Sequence, residues 1–243
     1  MRRGRLAAGA NIRSMLTIAT LRVNETFFSI QGEGIMGGAP SLFIRLDGCP
    51  LRCSWCDTPY ALEGTSGTAT GVDSLVALAS GKSHVVITGG EPLAQDIGPL
   101  VAAFDAGTHV TVETSGTIFA DLPGVALFSI SPKVGTSRYT PKLPVLRKFC
   151  ATAASRMQLK FVIGEERDLA ESLACLESLE DALPAGTPVI LQPESGRAGR
   201  GESYHACLRD LAERVLADAR WGAFDVRVLP QLHYLLWGGE AGR

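Results

Sequence analysis

The chain has 243 residues, 46% of them hydrophobic and 20% charged, enough to bury a sizeable core without disulfide or metal staples. Its 23 Lys and Arg against 25 Asp and Glu give a formal net charge of -2, so there is no basic field for wholesale nucleic-acid binding. No apolar run reaches the length of a membrane span, and the composition excludes collagen, coiled coil and extended disorder.

The start, Met1-Arg2-Arg3-Gly4-Arg5, is basic, and Asn11, Arg13 and Ser14 interrupt the weakly apolar stretch behind it. That is no secretory signal. Residues 1–15 are expected to be a tail or a start placed too early, with a single domain over 16–237, a second tail over 238–243 and a cytoplasmic location.

Apolar, β-branched runs follow at 41–46, 84–88, 109–113, 126–130, 158–163 and 188–192, with a weaker one at 225–229. Helix-period stretches lie between several of them, at 72–79, 96–104, 166–183 and 202–219. Segments 64–71 and 141–147 read as loops. Strands alternating with helices imply parallel βα units in one covered sheet or barrel. Polar residues gather where the runs end: Asp47-Gly48-Cys49, Gly89-Gly90-Glu91-Pro92, Glu113-Thr114-Ser115, Ser131-Pro132-Lys133 and Gln192-Pro193-Glu194. In parallel α/β folds ligands bind at the carboxyl ends of strands, so five such ends point to one cavity.

The six cysteines are unevenly placed. Cys150, Cys175 and Cys207 are scattered and read as small core residues. Cys49, Cys53 and Cys56 crowd into one loop with x3 and x2 spacing. Three thiolates there suit zinc or an iron–sulfur cluster. Structural zinc wants four closed ligands, and His84, His109, His205 and His233 are all remote in sequence. A cubane held by three cysteines instead leaves one iron open to a ligand.

This spacing, with Trp55 just before the third cysteine and Gly89-Gly90-Glu91-Pro92 after a strand, resembles the signature of the radical S-adenosylmethionine (SAM) enzymes. Segments 24–34, 43–49 and 56–58, then 113–116, 131–133, 191–193 and 231–233 in order, are similar to the 7-carboxy-7-deazaguanine synthase family. The resemblance covers about Val23 to Trp237. It implies a partial, contracted TIM-like barrel of about six parallel strands with covering helices, and a homodimer. It implies that Cys49, Cys53 and Cys56 hold a [4Fe-4S] cluster and that Thr58 helps bind magnesium. Trp55, Cys56, Asp57, Gly90, Ser115, Ser131, Pro132, Lys133 and Gln192 would form the SAM pocket. Ile30, Gln31, Gly32, Arg45 and Thr88 would meet a pterin substrate, Arg45 gripping its carboxylate with a guanidinium fork.

The implied reaction is reductive cleavage of SAM to a 5′-deoxyadenosyl radical and hydrogen abstraction from 6-carboxy-5,6,7,8-tetrahydropterin. Ring contraction with loss of ammonia then gives 7-carboxy-7-deazaguanine, in queuosine or related deazapurine synthesis. No side chain is needed as general acid or base. A flavodoxin or ferredoxin would supply electrons; no nucleic-acid or membrane partner is expected.

Plainer roles stand beside these. Arg45 could be a solvated edge charge, Thr58 a helix cap, Lys133 a loop charge, Glu33 an acceptor for nearby loop amides, and His233 structural. Two other functions compete. A glycyl-radical-enzyme activase shares the cysteine spacing but would not need Gln31–Gly34 and Arg45. An iron–sulfur carrier or zinc module would prefer a closed ligand set and has no use for Gly89-Gly90-Glu91-Pro92.

Overall fold

Period-two alternation along the strands decides the architecture. The computed structural model describes residues 19–196, 203–238 and 240. In chain order the elements are β1 (Thr20–Ile30), β2 (Pro40–Leu46), β3 (Thr68–Gly71), α1 (Val72–Ala79), β4 (His84–Gly89), α2 (Gly98–Ala103), β5 (His109–Thr114) and β6 (Leu127–Ile130). They continue as α3 (Leu143–Ala153), β7 (Met157–Ile163), α4 (Glu166–Glu177), β8 (Pro188–Pro193), α5 (Tyr204–Ala217), β9 (Asp225–Val228) and α6 (Leu232–Trp237).

The strands form one open sheet in the order β3-β1-β2-β4-β5-β6-β7-β8-β9. From β2 through β4 to β9 every pairing is parallel, as βα crossovers require. The parallel part is therefore seven strands, one more than the six clear runs, because the weak run at 225–229 does join the sheet as β9. The α/β class and the partial-barrel reading stand.

Two strands were not legible as such. β1 pairs antiparallel with β2 and β3, and its register shifts between Val23 and Glu25. This irregularity at Asn24 breaks the alternation that would mark a strand. β3 lies in the segment read as a loop; it is short and exposed, so no apolar run announces it. The expected loop at 141–147 is also corrected. It opens α3, whose Pro144 sits in the first turn, where a missing N–H costs nothing. The stretch at 166–183 is helical only to Glu177 and continues as turns. Residues 1–18 and most of 238–243 lie outside the described residues.

Helices pack on one face of the sheet. Leu42, Ile44, Val85, Ile87, Val110, Val112, Leu159 and Phe161 meet Leu75, Leu100, Leu146 and Leu173 in one core. Phe149 of α3 is fully buried, with ring centres 5.1 Å from Phe119 and 5.3 Å from Phe128. The alternate strand positions face the other way and are largely polar: Arg45, Thr88, Thr111, Glu113, Ser129, Gln158, Lys160 and Gln192. The sheet thus has an oily face under helices and a polar face around a cavity. Among the described residues no helix is long and apolar enough to cross a membrane.

Candidate active site

The cavity lies on the polar face of the sheet and at the carboxyl ends of its strands, with a volume of about 1320 Å³, mouth included. Every residue assigned from the sequence lines it except Pro132, whose neighbours Ser131 and Lys133 both do. β2 contributes Arg45, the end of β1 contributes Ile30, and the β1–β2 connection contributes Gln31 and Gly32. The cysteine loop contributes Cys49, Cys53, Trp55, Cys56, Asp57 and Thr58. Thr88 and Gly90 come from the end of β4, Ser115 from β5, Ser131 and Lys133 from β6, and Gln192 from β8.

Close backbone approach seats the cysteine loop. Gly48 N–H donates to Ala61 O (2.8 Å), Cys49 N–H to Leu62 O (2.9 Å) and Glu91 N–H to Gly48 O (2.9 Å). A Cβ on Gly90 would lie 2.4 Å from Gly48 O, so the turn after β4 tolerates only glycine there. Glu91 is fully buried and does not reach the cavity. It accepts hydrogen bonds from Thr114 Oγ1 (2.7 Å), from Leu93 N–H, and from the Ser115 N–H (2.9 Å) and hydroxyl. The acidic residue of Gly-Gly-Glu-Pro is therefore a brace between the ends of β4 and β5.

All three thiols are free and half-buried, and burial raises each above its usual pKa. Among the described residues no three His, Cys, Asp or Glu side chains converge where a single metal ion would sit. Three half-buried thiols lining one cavity suit a cluster whose corners each take one thiolate. The donor set and the adjacent cavity fit a three-cysteine cluster with room for a ligand on the remaining corner.

Arg45 is held. Its Nε donates to Glu25 Oε1 (2.7 Å), Tyr60 Oη donates to the same oxygen (2.8 Å), and Nη1 reaches Thr58 Oγ1 at 3.4 Å. The Arg45 guanidinium carbon also lies 5.6 Å from the Phe27 ring centre. It lies at the cavity wall and is no solvated edge charge. Thr58 occupies the cap position of a short 3-10 turn without making a cap bond; its hydroxyl donates to Asp57 Oδ1 (2.9 Å). Lys133 donates to Ser131 Oγ (2.9 Å) and lies 5.2 Å from the Trp55 ring centre. Burial pulls the Lys133 ammonium below its ordinary pKa.

Sequence reading missed the cavity floor. Glu33 accepts hydrogen bonds from Lys160 Nζ, Gln192 Nε2 (2.8 Å) and Gln231 Nε2 (2.6 Å). Burial pushes the Glu33 carboxyl up, but Lys160 first and His233 next outweigh it and hold it well below the usual range. Lys160 moves the other way: burial lowers it, while Glu33 and Glu113 raise it further. The pair is thus fully charged, and Glu33 is not the loop-amide acceptor it could have been. Glu113 accepts from Gln31 Nε2 (3.0 Å) and Thr88 Oγ1 (2.8 Å). A Cβ on Gly32 would lie 1.9 Å from His233 Nδ1, so glycine there lets α6 close on the β1–β2 connection. Gln192 Oε1 and Gln231 Oε1 are buried without a hydrogen-bond partner, two acceptors left over in the cavity wall. The usable signal was the alternation of polar with apolar residues along β5 and the first half of β7.

The family model of the radical SAM superfamily matches residues 43–190. A 7-carboxy-7-deazaguanine synthase from Aquifex aeolicus is 35% identical over 226 residues, 89% of this chain and 94% of its own length. One from Pyrobaculum aerophilum is 36% identical over 233 residues, 92% and 97% of the two chains. One from Rhodopirellula baltica is 40% identical over 196 residues, 72% and 74%. Among solved structures, QueE from Escherichia coli superposes with a TM-score of 0.65 at 29% identity, covering 88% of this chain and 95% of that one. The chain belongs to the radical SAM superfamily and, within it, to the 7-carboxy-7-deazaguanine synthase family.

Proposed function

We propose that this chain converts 6-carboxy-5,6,7,8-tetrahydropterin to 7-carboxy-7-deazaguanine with loss of ammonia. The observation that carries this reading is one cavity lined both by the three cysteines of the loop and by Arg45, whose guanidinium is held by Glu25. Cys49, Cys53 and Cys56 would hold a [4Fe-4S] cluster. Trp55, Asp57, Gly90, Ser115, Ser131 and Lys133 would line the SAM side. When bound, the cluster and SAM supply the one-electron chemistry that opens the reaction.

The chain's own residues bind and orient. Arg45 spends its Nε on Glu25, which leaves the outer edge of the fork for a substrate carboxylate. Thr58 and Asp57 offer hard oxygens beside it, a donor set suited to magnesium, which keeps few protein ligands and takes the rest from substrate and water. Gln31 and Thr88, with the unpartnered amide oxygen of Gln231, suit a heterocycle rich in N–H donors, and Gln192, assigned to the SAM side, offers a second unpartnered amide oxygen there. Phe27 and Phe43, stacked at 4.8 Å, form an apolar wall that shields the reacting ring from water. A small electron-transfer protein, a flavodoxin or ferredoxin, would supply the electron, and the working form would be a homodimer.

The test is an anaerobic assay with reconstituted protein, SAM, reductant, magnesium and 6-carboxytetrahydropterin, read by mass spectrometry. The expected products are 7-carboxy-7-deazaguanine and 5′-deoxyadenosine. Formation of 5′-deoxyadenosine alone would overturn the substrate and leave the SAM chemistry standing.

A further inference from the structure

Asp168, on the first turn of α4, is a fully buried carboxylate outside the cavity wall. Its Oδ2 accepts from Gly164 N–H (2.8 Å) and Glu165 N–H (2.9 Å), and the second of these belongs to an ordinary capping box. A cap does not need its other oxygen. Oδ1 accepts from Thr136 N–H (2.7 Å), and the Thr136 hydroxyl lies within hydrogen-bond distance of both carboxylate oxygens, 3.0 Å from Oδ1 and 2.9 Å from Oδ2. Thr136 lies in the short turn between β6 and α3, and that turn carries the cysteine loop. Trp55 Nε1 donates to Thr136 Oγ1 (3.1 Å), Ser54 Oγ donates to Thr136 O, and Arg52 N–H donates to Tyr139 Oη (2.8 Å). These contacts fall on the residues interleaved between Cys49, Cys53 and Cys56.

We infer that Thr136 is a positioning residue for the cysteine loop, its hydroxyl set by Asp168 so that it accepts from the Trp55 indole. The polarity of the chain is forced. An indole N–H can only donate. The buried carboxylate, already accepting backbone N–H groups, can only accept. The single hydroxyl proton therefore goes to Asp168, and a lone pair is left facing Trp55. The Trp55 ring is fixed between this hydroxyl and the ammonium of Lys133, directly beside Cys56. α4, which contributes nothing to the cavity wall, thereby sets the orientation of one wall. The inference rests on the reading that loop 49–56 carries the cluster and that Trp55 borders SAM.

Thr136→Val removes the hydroxyl at nearly constant shape, Thr136→Ser restores it, and Thr136→Ala removes it without adding a methyl that could disturb the turn. In the full-length chain, the Trp55 Nε1–H resonance, identified by its loss in Trp55→Phe, is expected to shift in the valine and alanine variants and return in the serine one. Trp221 and Trp237 should not move. In reconstituted protein, SAM affinity, read from the change it causes in the reduced cluster's paramagnetic resonance signal, is expected to weaken about tenfold in the valine and alanine variants, with iron and sulfide content unchanged. The serine variant should recover wild-type affinity. If the Trp55 signal stays put, or SAM affinity is unchanged in valine and alanine variants of a wild type that itself responds to SAM, the positioning role is overturned alone. A wild-type chain that takes no cluster, or whose signal ignores SAM, overturns the reading of the loop and this role with it.

Discussion

Arg45 shows how a charge on a strand becomes a specific group. Glu25 on the neighbouring strand takes its Nε, Tyr60 ties down the same carboxylate oxygen, and Phe27 lies beside the guanidinium. A lysine at this position would keep the charge but lose the fork, leaving one ammonium to serve both Glu25 and the substrate. Arg45→Lys is expected to raise KM for the carboxylated pterin by about tenfold to a hundredfold, the worth of a charge-assisted hydrogen bond. Cleavage of SAM in the absence of pterin should be little changed, because Arg45 is assigned no contact with it. Steady-state kinetics with separate quantification of 5′-deoxyadenosine decide the matter; equal loss of both activities would mean that Arg45 supports the cysteine loop instead. The residues legible in the sequence were those whose type already fixes their chemistry: three spaced cysteines, a glycine pair and an arginine in an apolar run. Glu33, Lys160 and Glu113 were not legible as a floor, because their meaning depends on which face of a strand looks inward. Their charges pair across 127 residues of sequence in one case, Lys160 with Glu33.

At the scale of elements, the turn after β4 matters most. Gly89 adopts φ 144°, and a Cβ there would lie 2.1 Å from Leu46 O; Gly90 is pressed against Gly48. The strand ends that frame the cysteine loop touch backbone to backbone, with no side chain able to give way. Gly90→Ala is therefore expected to destabilise the apo chain by about 2 kcal/mol, as overpacking does in a site that cannot expand. The readout is the urea midpoint under reducing conditions, and a wild-type midpoint would show that the turn yields more easily than its contacts imply. The elements that could be read from sequence were those with uniform apolar runs or clear helical spacing, β4 and α1 among them. β1, with its irregularity at Asn24, and α3, with Pro144 in its first turn, were hidden because one local feature masked the pattern on either side.

The whole molecule separates chemistry from stability along the strand axis. The cavity sits toward the carboxyl ends, while the amino ends of β4 and β5 hold a buried His84 against a half-buried His109, with ring centres 5.0 Å apart. Ser41 Oγ donates to Ala39 O, so it accepts from His84 Nδ1 (2.8 Å), and His84 Nε2 in turn accepts from Thr111 Oγ1 (2.8 Å). This network needs a neutral imidazole. Burial, with the nearby His109 second, pulls His84 down to about 4 from an ordinary 6.5. Between those values the unfolded chain binds a proton that the folded chain refuses. Stability from this group is therefore full above about pH 6.5 and lost as pH falls toward 4, a total on the order of 3 kcal/mol. His109, lowered by its own burial, acts in the same direction. Urea unfolding of the apo chain at pH 7.5 and pH 5 is expected to show a loss of about 2 kcal/mol on acidification. Most of that loss should disappear in His84→Asn, whose amide can still donate to Ser41 but takes up no proton. The variant will be less stable at both pH values, since it leaves a gap, so the change with pH is the quantity that discriminates. Parallel losses in wild type and variant would place the acid sensitivity among the carboxylates around the cavity instead.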